Sequence, residues 1–166
     1  MTIAVQLEPP TGAPSAVEYR WDADTDILTV RIAQVSERSG PAGSIELEGT
    51  DGSWLIFDLA GERIAGVEVA VWPDVHKSPA LTPPVAVEDA YAIVPLHGMQ
   101  PGASTIEVDT SLRAEADDAE RVIYFRVGDE RTARTIRLGR DLLLDVDPAS
   151  RIAGLWLLNV PPFPVT

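Results

Sequence analysis

An internal repeat constrains the fold of this chain more than any other feature of its sequence. The tetrapeptide Arg-Ile-Ala-Gly occurs at residues 63–66 and again at 151–154. Three further stretches recur in the same order, offset by 87 to 95 residues: 55–59 with 142–146, 27–32 with 122–127, and 15–18 with 104–107. One tetrapeptide could recur by chance, but four stretches in register predict two diverged copies of a unit of about 70 residues.

Within the repeated stretches, apolar and polar residues alternate with a period of two, which is the pattern of strands with one buried face. Turn residues such as Gly52 and Gly61 separate the stretches. The first copy is therefore predicted to form an antiparallel meander with strands near 16–21, 27–33, 44–48, 54–59 and 63–72. No stretch has the caps and periodicity of a long helix.

The predicted fold is all-β: two repeated antiparallel β-meander units packed as a pseudo-twofold sandwich or barrel-like domain. A lone meander has an apolar face with nothing to cover it, so the copies are expected to cover each other. The predicted organisation is a first β repeat at 1–75, a Pro-rich linker at 76–89 and a second β repeat at 90–166, in one globular unit.

Three segments outside the main strands carry their own predictions. The prolines between the copies make that segment poorly suited to join a sheet. Residues 111–120 are predicted to form an acidic connection or one or two helical turns. Residues 3–7 and 90–96 are each predicted to form an extra amino-terminal strand.

Charge and composition narrow the possible partners and the compartment. The net charge is −13, divided as −8 over residues 1–83 and −5 over 84–166. Both halves repel phosphate, which disfavours nucleic acid and anionic membranes as partners. The chain has no cysteine, and no apolar run approaches the length of a membrane span. The amino terminus lacks the basic residue and apolar run of a secretory leader, so a soluble, cytoplasmic protein is predicted.

Two segments resemble a known family. Residues 21–30 contain an aromatic-Asp pair, Trp21-Asp22, followed four residues later by Asp26 and an apolar strand. Residues 57–69 contain Phe57-Asp58, a turn with glycine and the sequence Gly-Val-Glu-Val. Over residues 17–72 the chain resembles the domain of unknown function DUF2283. The resemblance implies a small β-rich protein without an established activity, in some cases the neighbour of a toxin-like protein, and here a tandem duplication with a degenerate second copy.

Two sets of carboxylates are the strongest candidates for chemistry. Asp22, Asp24 and Asp26 alternate in a turn, where their oxygens could converge on calcium, although the spacing lacks the glycine and glutamate of an EF-hand. The simpler interpretation is that they form the turn. Asp58 and Glu68 could act as an acid–base pair if neighbouring strands bring them together. The second copy keeps Asp145 but has Trp156 in place of Glu68.

Other residue types indicate structure rather than chemistry. His76 and His97 lack the spacing and companions of metal ligands, so no metal or cofactor is predicted. Gly66 and Gly154 occupy equivalent strand positions, which predicts a bulge or a close backbone approach. Two larger groups are interpreted as surface charges paired with acids and as core or edge packing, respectively: Arg131, Arg134, Arg137 and Arg140, and Trp54, Trp72 and Trp156.

The sequence leaves several functions open. Signatures of common hydrolases, nucleotide-binding proteins and dehydrogenases are missing, which favours a non-enzymatic interaction or regulatory module with another protein as partner. The alternatives are a small-ligand or metal-binding barrel-like protein, an antitoxin-like partner of a neighbouring toxin, and a carboxylate-based, metal-assisted enzyme. The oligomeric state is left open as well.

Overall fold

The computed structural model describes residues 3–35, 42–95 and 105–164. Within these ranges the chain forms fifteen β-strands and no helix, so the predicted all-β class is confirmed. The strands are β1 (Gln6–Glu8), β2 (Val17–Trp21), β3 (Leu28–Ile32), β4 (Ala42–Gly49), β5 (Trp54–Ala60), β6 (Arg63–Val71), β7 (Val75–Lys77), β8 (Val87–Asp89), β9 (Tyr91–Ile93), β10 (Thr105–Thr110), β11 (Leu112–Ala116), β12 (Ile123–Val127), β13 (Arg134–Gly139), β14 (Leu142–Val146) and β15 (Ile152–Leu157).

The strands form two sheets. Sheet one has eight strands in the order β1-β9-β6-β5-β4-β10, with the β2-β3 hairpin joined to β6 through β3. Sheet two has seven strands in the order β7-β11-β12-β15-β14-β13-β8. Positive φ angles at Gly52 (87°) and Gly61 (63°) allow the tight turns that join β4 to β5 and β5 to β6.

Five consecutive strands have the same arrangement in each sheet: β2-β3-β6-β5-β4 in sheet one and β11-β12-β15-β14-β13 in sheet two. The five predicted strands of the first copy lie within about two residues of β2 to β6. The predicted strand order, that of a simple meander, is wrong. The segment between β3 and β4 is too long for a tight hairpin, and β3 pairs with β6, which gives a Greek key.

One part of the predicted repeat alignment is also wrong. Residues 104–107 were matched with 15–18, but the strand of sheet two that occupies the place of β2 is β11, which pairs with β12. β10 instead lies parallel to β4 in sheet one, and residue 104 is outside the described ranges. β11 also occupies half of the predicted acidic connection at 111–120. Both β10 and β11 alternate apolar and polar residues, so only their pairing partners distinguish them.

The Pro-rich segment between the halves contributes two strands, contrary to its predicted unsuitability for a sheet. β7 pairs with β11, and β8 pairs with β13, at the two edges of sheet two. Each strand has three residues and contains no proline. The prolines lie outside these two strands, so their missing N–H groups do not interrupt the strand pairing.

The predicted amino-terminal extra strands link the two halves. β1 pairs with β9 in sheet one. The Val94 N–H donates to the Glu62 carbonyl oxygen at 2.7 Å, and the Val5 N–H donates to the Ser150 carbonyl oxygen at 2.8 Å. In each half, the residue immediately before the Arg-Ile-Ala-Gly stretch therefore accepts a backbone hydrogen bond from the extra strand segment of the other half. This reciprocity supports the pseudo-twofold relation, which stays a prediction.

Both sheets contribute to one hydrophobic core. Phe57 of sheet one and Phe125 of sheet two are each 0% exposed. The Trp72 ring lies 5.7 Å from the Phe125 ring across the space between the sheets. As the alternation predicts, Leu28, Val30 and Ile32 point into this core.

A β-bulge precedes each repeated glycine. The register between β5 and β6 shifts so that Ala65 has no partner and Gly66 lies opposite Asp58. The shift between β14 and β15 does the same with Ala153, Gly154 and Asp145. A Cβ atom on Gly66 would collide with the Val30 carbonyl oxygen. The predicted bulge and close backbone approach are both confirmed.

Candidate functional site

Asp22, Asp24 and Asp26 lie in the turn between β2 and β3. Asp22 accepts the hydrogen bonds that stabilise this turn. The Asp24 N–H donates to Asp22 Oδ1 at 3.0 Å, and the Asp26 N–H donates to the Asp22 carbonyl oxygen at 2.9 Å. Asp26 has a φ of 61°, which aspartate tolerates better than most residues. Among the described residues, no three acidic or histidine side chains are grouped to hold a metal ion. The turn-forming interpretation therefore accounts for Asp22.

Asp58 and Glu68 lie close together on the outer face of sheet one. Asp58 is opposite Gly66 and Glu68 is opposite Ile56, so the two carboxylates are diagonal neighbours on β5 and β6. Burial raises the pKa of Asp58, the Glu68 carboxylate raises it further, and Arg31 lowers it. The pairing of β5 with β6 therefore brings the two carboxylates together, which was the condition for an acid–base pair.

A polar concavity of about 960 Å³ adjoins this pair, lined in part by Arg20, Asp22, Arg31 and Glu68. Asp26 instead lines a separate groove between the two sheets. The candidate acids are therefore divided: Asp22 lines the same concavity as Glu68, which lies beside Asp58, whereas Asp26 lines the other groove.

Four further carboxylates on the same face were missed by the sequence analysis. Glu46 lies opposite Glu107, and Glu48 lies opposite Asp109, in the parallel pairing of β4 with β10. The residues between them, including Leu47 and Val108, are buried, which places the acids on the outer side. We call these four residues the acidic ladder. The alternating acids in each strand were visible in the sequence, but their juxtaposition depends on β10 joining sheet one.

β10 is the last strand of sheet one in the strand order. Its six residues pair with β4 along their whole length, and no described strand pairs with the opposite side of β10. Among the edge strands of the described ranges it is the longest, since β2 has five residues and β1, β7 and β8 have three each. An edge strand presents unpaired backbone donors and acceptors to a partner.

On the equivalent outer face of sheet two, the carboxylate of Asp145 is enclosed by neighbouring side chains. Asp145, in the position of Asp58, is 9% exposed. Its carboxylate accepts from Thr135 Oγ1 at 2.8 Å, from Trp156 Nε1 at 3.3 Å and from the Tyr124 hydroxyl. Trp156 stands where Glu68 stands in sheet one, as the alignment predicted. Burial raises the pKa of Tyr124, as do the Asp145 charge and its hydrogen bond. The outer carboxylate of sheet two is therefore structural.

Three members of the arginine series form ion pairs with acids, and two of these pairs lie at the surface, as predicted. Arg134 lies 3.3 Å from Glu88 and Arg137 lies 3.8 Å from Asp89, both near the surface. Arg131 is different, because its Nε donates at 2.8 Å to Asp147, whose side chain is 2% exposed. Arg131 also donates to the carbonyl oxygens of Val127 and Ile152, each at 2.8 Å.

The tryptophans only partly follow their interpretation as packing residues. Trp156 is 7% exposed and is a packing residue. Trp54 is the first residue of β5, lies opposite Val71 and is 40% exposed. Trp72, with Trp21 and Phe163, lines the groove between the sheets that Asp26 also lines. Nothing in the local sequence around Trp21 and Phe163 marks them as groove residues. His76 lies in β7 opposite Glu115, and His97 lies outside the described residues.

Comparison with known proteins assigns no family: no protein-family model matches the chain, and no curated protein matches it. In the described part of the chain, no helix is long and apolar enough to cross a membrane.

Proposed function

We propose that this chain is a non-enzymatic interaction module that binds an extended, basic segment of another protein along β10. The position of β10 carries the proposal: a six-residue strand at the end of a sheet, paired on one side with β4. Peptide recognition by strand addition uses such an edge, with backbone hydrogen bonds providing affinity and alternate side chains providing specificity.

The acidic ladder selects the charge of the partner. Like charges directly opposite each other destabilise a sheet, and β4 and β10 place Glu46 against Glu107 and Glu48 against Asp109. A basic strand added to β10 would bring lysine or arginine beside Glu107 and Asp109 and reduce this repulsion. The net charge of −13 would also accelerate the encounter with a basic partner.

The resemblance to DUF2283 is compatible with this proposal. It implies that some similar proteins are neighbours of toxin-like proteins, and an antitoxin-like role would be one form of the interaction proposed here. The proposed compartment is the cytoplasm.

Carboxylate-based chemistry at Asp58 and Glu68 is the second candidate, favoured by the raised pKa of Asp58 beside Glu68. It ranks below binding because Arg31 offsets part of that shift and because the corresponding Asp145 serves as a structural acceptor. A metal-dependent rise in melting temperature that is lost in both D58N and E68Q would favour this candidate over binding.

The binding proposal can be tested with a short synthetic peptide in which lysine alternates with valine and threonine, labelled with fluorescein. We expect fluorescence anisotropy to rise on adding the protein, with an affinity that weakens as salt increases. Backbone amide NMR shifts should change chiefly at residues 105–110. E107Q and D109N should weaken binding, whereas D129N, which removes an acid from another part of the chain, should not.

Two control peptides separate strand pairing from charge attraction. A peptide with glutamate in place of lysine should not bind. A peptide methylated on alternate backbone nitrogens keeps its charge but loses the donors that a sheet requires, and it should bind much more weakly. Equal binding of the methylated peptide, or shifts away from β10, would refute strand addition. No binding of the basic peptide would refute the proposal as a whole.

A further inference from the structure

A groove lined with aromatic side chains opens between the two sheets, away from β10. Its volume is about 440 Å³, within the usual range for small-ligand sites. Trp21 at the end of β2, Trp72 after β6, and Phe163 near the carboxyl terminus contribute the rings. Both sheets and the final segment therefore build it together.

The rings form a corner. Trp21 and Trp72 are stacked, with centroids 5.7 Å apart and an interplanar angle of 20°. Phe163 meets Trp21 edge-on, with centroids 5.2 Å apart and an angle of 80°. Phe163 is 39% exposed, so part of the corner faces solvent and can be reached by a ligand.

The indole donors of this corner are already used. Trp21 Nε1 donates to the Pro161 carbonyl oxygen at 2.9 Å, and Trp72 Nε1 donates to the Asp26 carbonyl oxygen at 2.7 Å. The exposed part of the corner, chiefly Phe163, therefore offers a ligand aromatic ring surface rather than N–H donors. The faces of aromatic rings carry partial negative charge and attract cations.

The charged groups of the groove favour the same kind of ligand. Asp26, Glu120 and Lys77 line it. Lys77 Nζ is held by Glu120 Oε1 at 2.6 Å and by the Asp118 carbonyl oxygen at 3.2 Å. Two carboxylates against one ammonium leave the groove with net negative charge, in a chain that is itself strongly acidic.

We infer that this groove binds a small organic ammonium ion with an apolar shell, such as a free methylated amine of about the size of choline. The aromatic corner would contact the methyl groups by cation–π attraction. Asp26 would supply the opposite charge, while Glu120 offsets the charge of Lys77, which would otherwise repel the cation. This inference concerns a different surface from the proposed strand-addition site and does not depend on it.

Tryptophan fluorescence provides the test, in a W54F background that removes an exposed indole outside the groove. Choline and tetramethylammonium should quench the emission saturably. The neutral isostere of choline, 3,3-dimethylbutan-1-ol, should bind roughly five- to thirtyfold more weakly, since it has the same shape without the charge. A peptide containing trimethyllysine and vesicles of phosphatidylcholine serve as two further probes. They should bind no more tightly than choline if the natural ligand is a free small molecule.

Two variants and one control locate the site. F163L and E120Q should each weaken choline binding several-fold while keeping the melting temperature, because both side chains are substantially exposed. E88Q, an exposed acid elsewhere in sheet two, should leave binding unchanged. The inference would be overturned by equal binding of the neutral isostere, by unaltered binding in both groove variants, or by no quenching in the millimolar range. Tighter binding of the peptide or the vesicles would overturn the assignment to a free small molecule.

Discussion

The ring of Tyr124 lies over Gly154. A Cβ atom on Gly154 would stand 2.6 Å from the Tyr124 hydroxyl oxygen and 2.7 Å from its Cε1 atom. The corresponding Gly66 has no such ring beside it, and its Cβ would meet the backbone carbonyl oxygen of Val30. The Gly154 Cβ would also lie 3.0 Å from the equivalent carbonyl oxygen, that of Phe125, so the Tyr124 ring is the constraint that only Gly154 has.

This difference predicts a coupling between Tyr124 and Gly154. We expect G154A to lower the free energy of unfolding by about 1–3 kcal/mol through overpacking. In the Y124A background the cost of G154A should fall by about 1 kcal/mol, because the clashing ring is gone. G66A serves as the control, since its cost should be the same with or without Tyr124. Urea unfolding of the single and double variants would measure both couplings, and strict additivity for Tyr124 and Gly154 would contradict the geometry.

For Gly66 itself, we predict that G66V destabilises the protein by roughly 1–3 kcal/mol. The added atoms would have to displace the backbone of β3, which cannot swing aside as a side chain can. Thermal unfolding is sufficient to measure the effect. An unchanged melting midpoint would mean that β3 and β6 lie further apart than described here.

Arg131 is predicted to contribute more to stability than the other paired arginines. Its guanidinium joins the buried Asp147 to the carbonyl oxygens of Val127 and Ile152. R131A would remove one donor from each of these acceptors, although Asp147 keeps the N–H groups of Ala149 and Arg151, and should cost about 2–4 kcal/mol. The matched control is R134A, whose partner Glu88 is 60% exposed. That change should cost at most about 1 kcal/mol.

The ion pair between Arg131 and Asp147 also predicts how stability depends on pH. Burial raises the pKa of Asp147, but the hydrogen bond from Arg131 and those from the Arg151 and Ala149 N–H groups leave it below its ordinary value. A depressed folded-state pKa stabilises the fold above the unfolded pKa, and this stability is lost as pH falls through the folded value. Stability curves from pH 7 into the acid range should therefore be less steep for R131A than for the unmodified chain.

Asp58 is expected to have the opposite effect on the pH dependence of stability. Burial and Glu68 raise its pKa against the effect of Arg31, so the folded state binds more protons than the unfolded state between the two pKa values. The free energy of unfolding then falls as pH rises through this window. D58N should stabilise the protein at neutral pH, and the gain should shrink below the ordinary aspartate pKa.

D51N is the matched control for this effect. The hydrogen bonds from the Ser53 side chain and backbone lower the pKa of Asp51, so this substitution should lower stability at neutral pH. The order of melting temperatures at pH 7 should be D58N, unmodified chain, D51N. A reversed order for D58N would mean that the ionised Asp58 is stabilised by Arg31 more than it is penalised by burial.

Local alternation predicted the strands well, because the two-residue period depends only on neighbouring residues. Leu28, Val30 and Ile32 were assigned to the core on that basis and lie there. Strand partners depend on residues far apart in the sequence, which explains why the β3-to-β6 pairing and the place of β10 were missed. The candidate site divides in the same way. Asp58 and Glu68 lie on the two strands of one hairpin, so their proximity could be considered from the sequence, whereas the acidic ladder exists only because a strand from the second half joins sheet one.

The last prediction concerns the connection between the halves. The predicted boundary at 76–89 is crossed by strand pairing in both directions: β7 and β8 lie in sheet two, and β9 and β10 lie in sheet one with strands of the first half. A site-specific protease sequence inserted at Val85, which is 96% exposed, should be cleaved readily. The two fragments should nevertheless stay together through size-exclusion chromatography, because separation would expose the shared core.

Expression of each half alone provides the complementary measurement. Residues 1–84 would lack β9 and β10, and residues 85–166 would lack β7 and the backbone contacts from Val5 and Ile3 to β15 and its preceding turn. Neither fragment should give a cooperative unfolding transition by itself, while mixing the two should restore one. Two folded, monomeric halves after cleavage would show that each sheet is stable without the other, and the single shared core would then not be what holds this fold together.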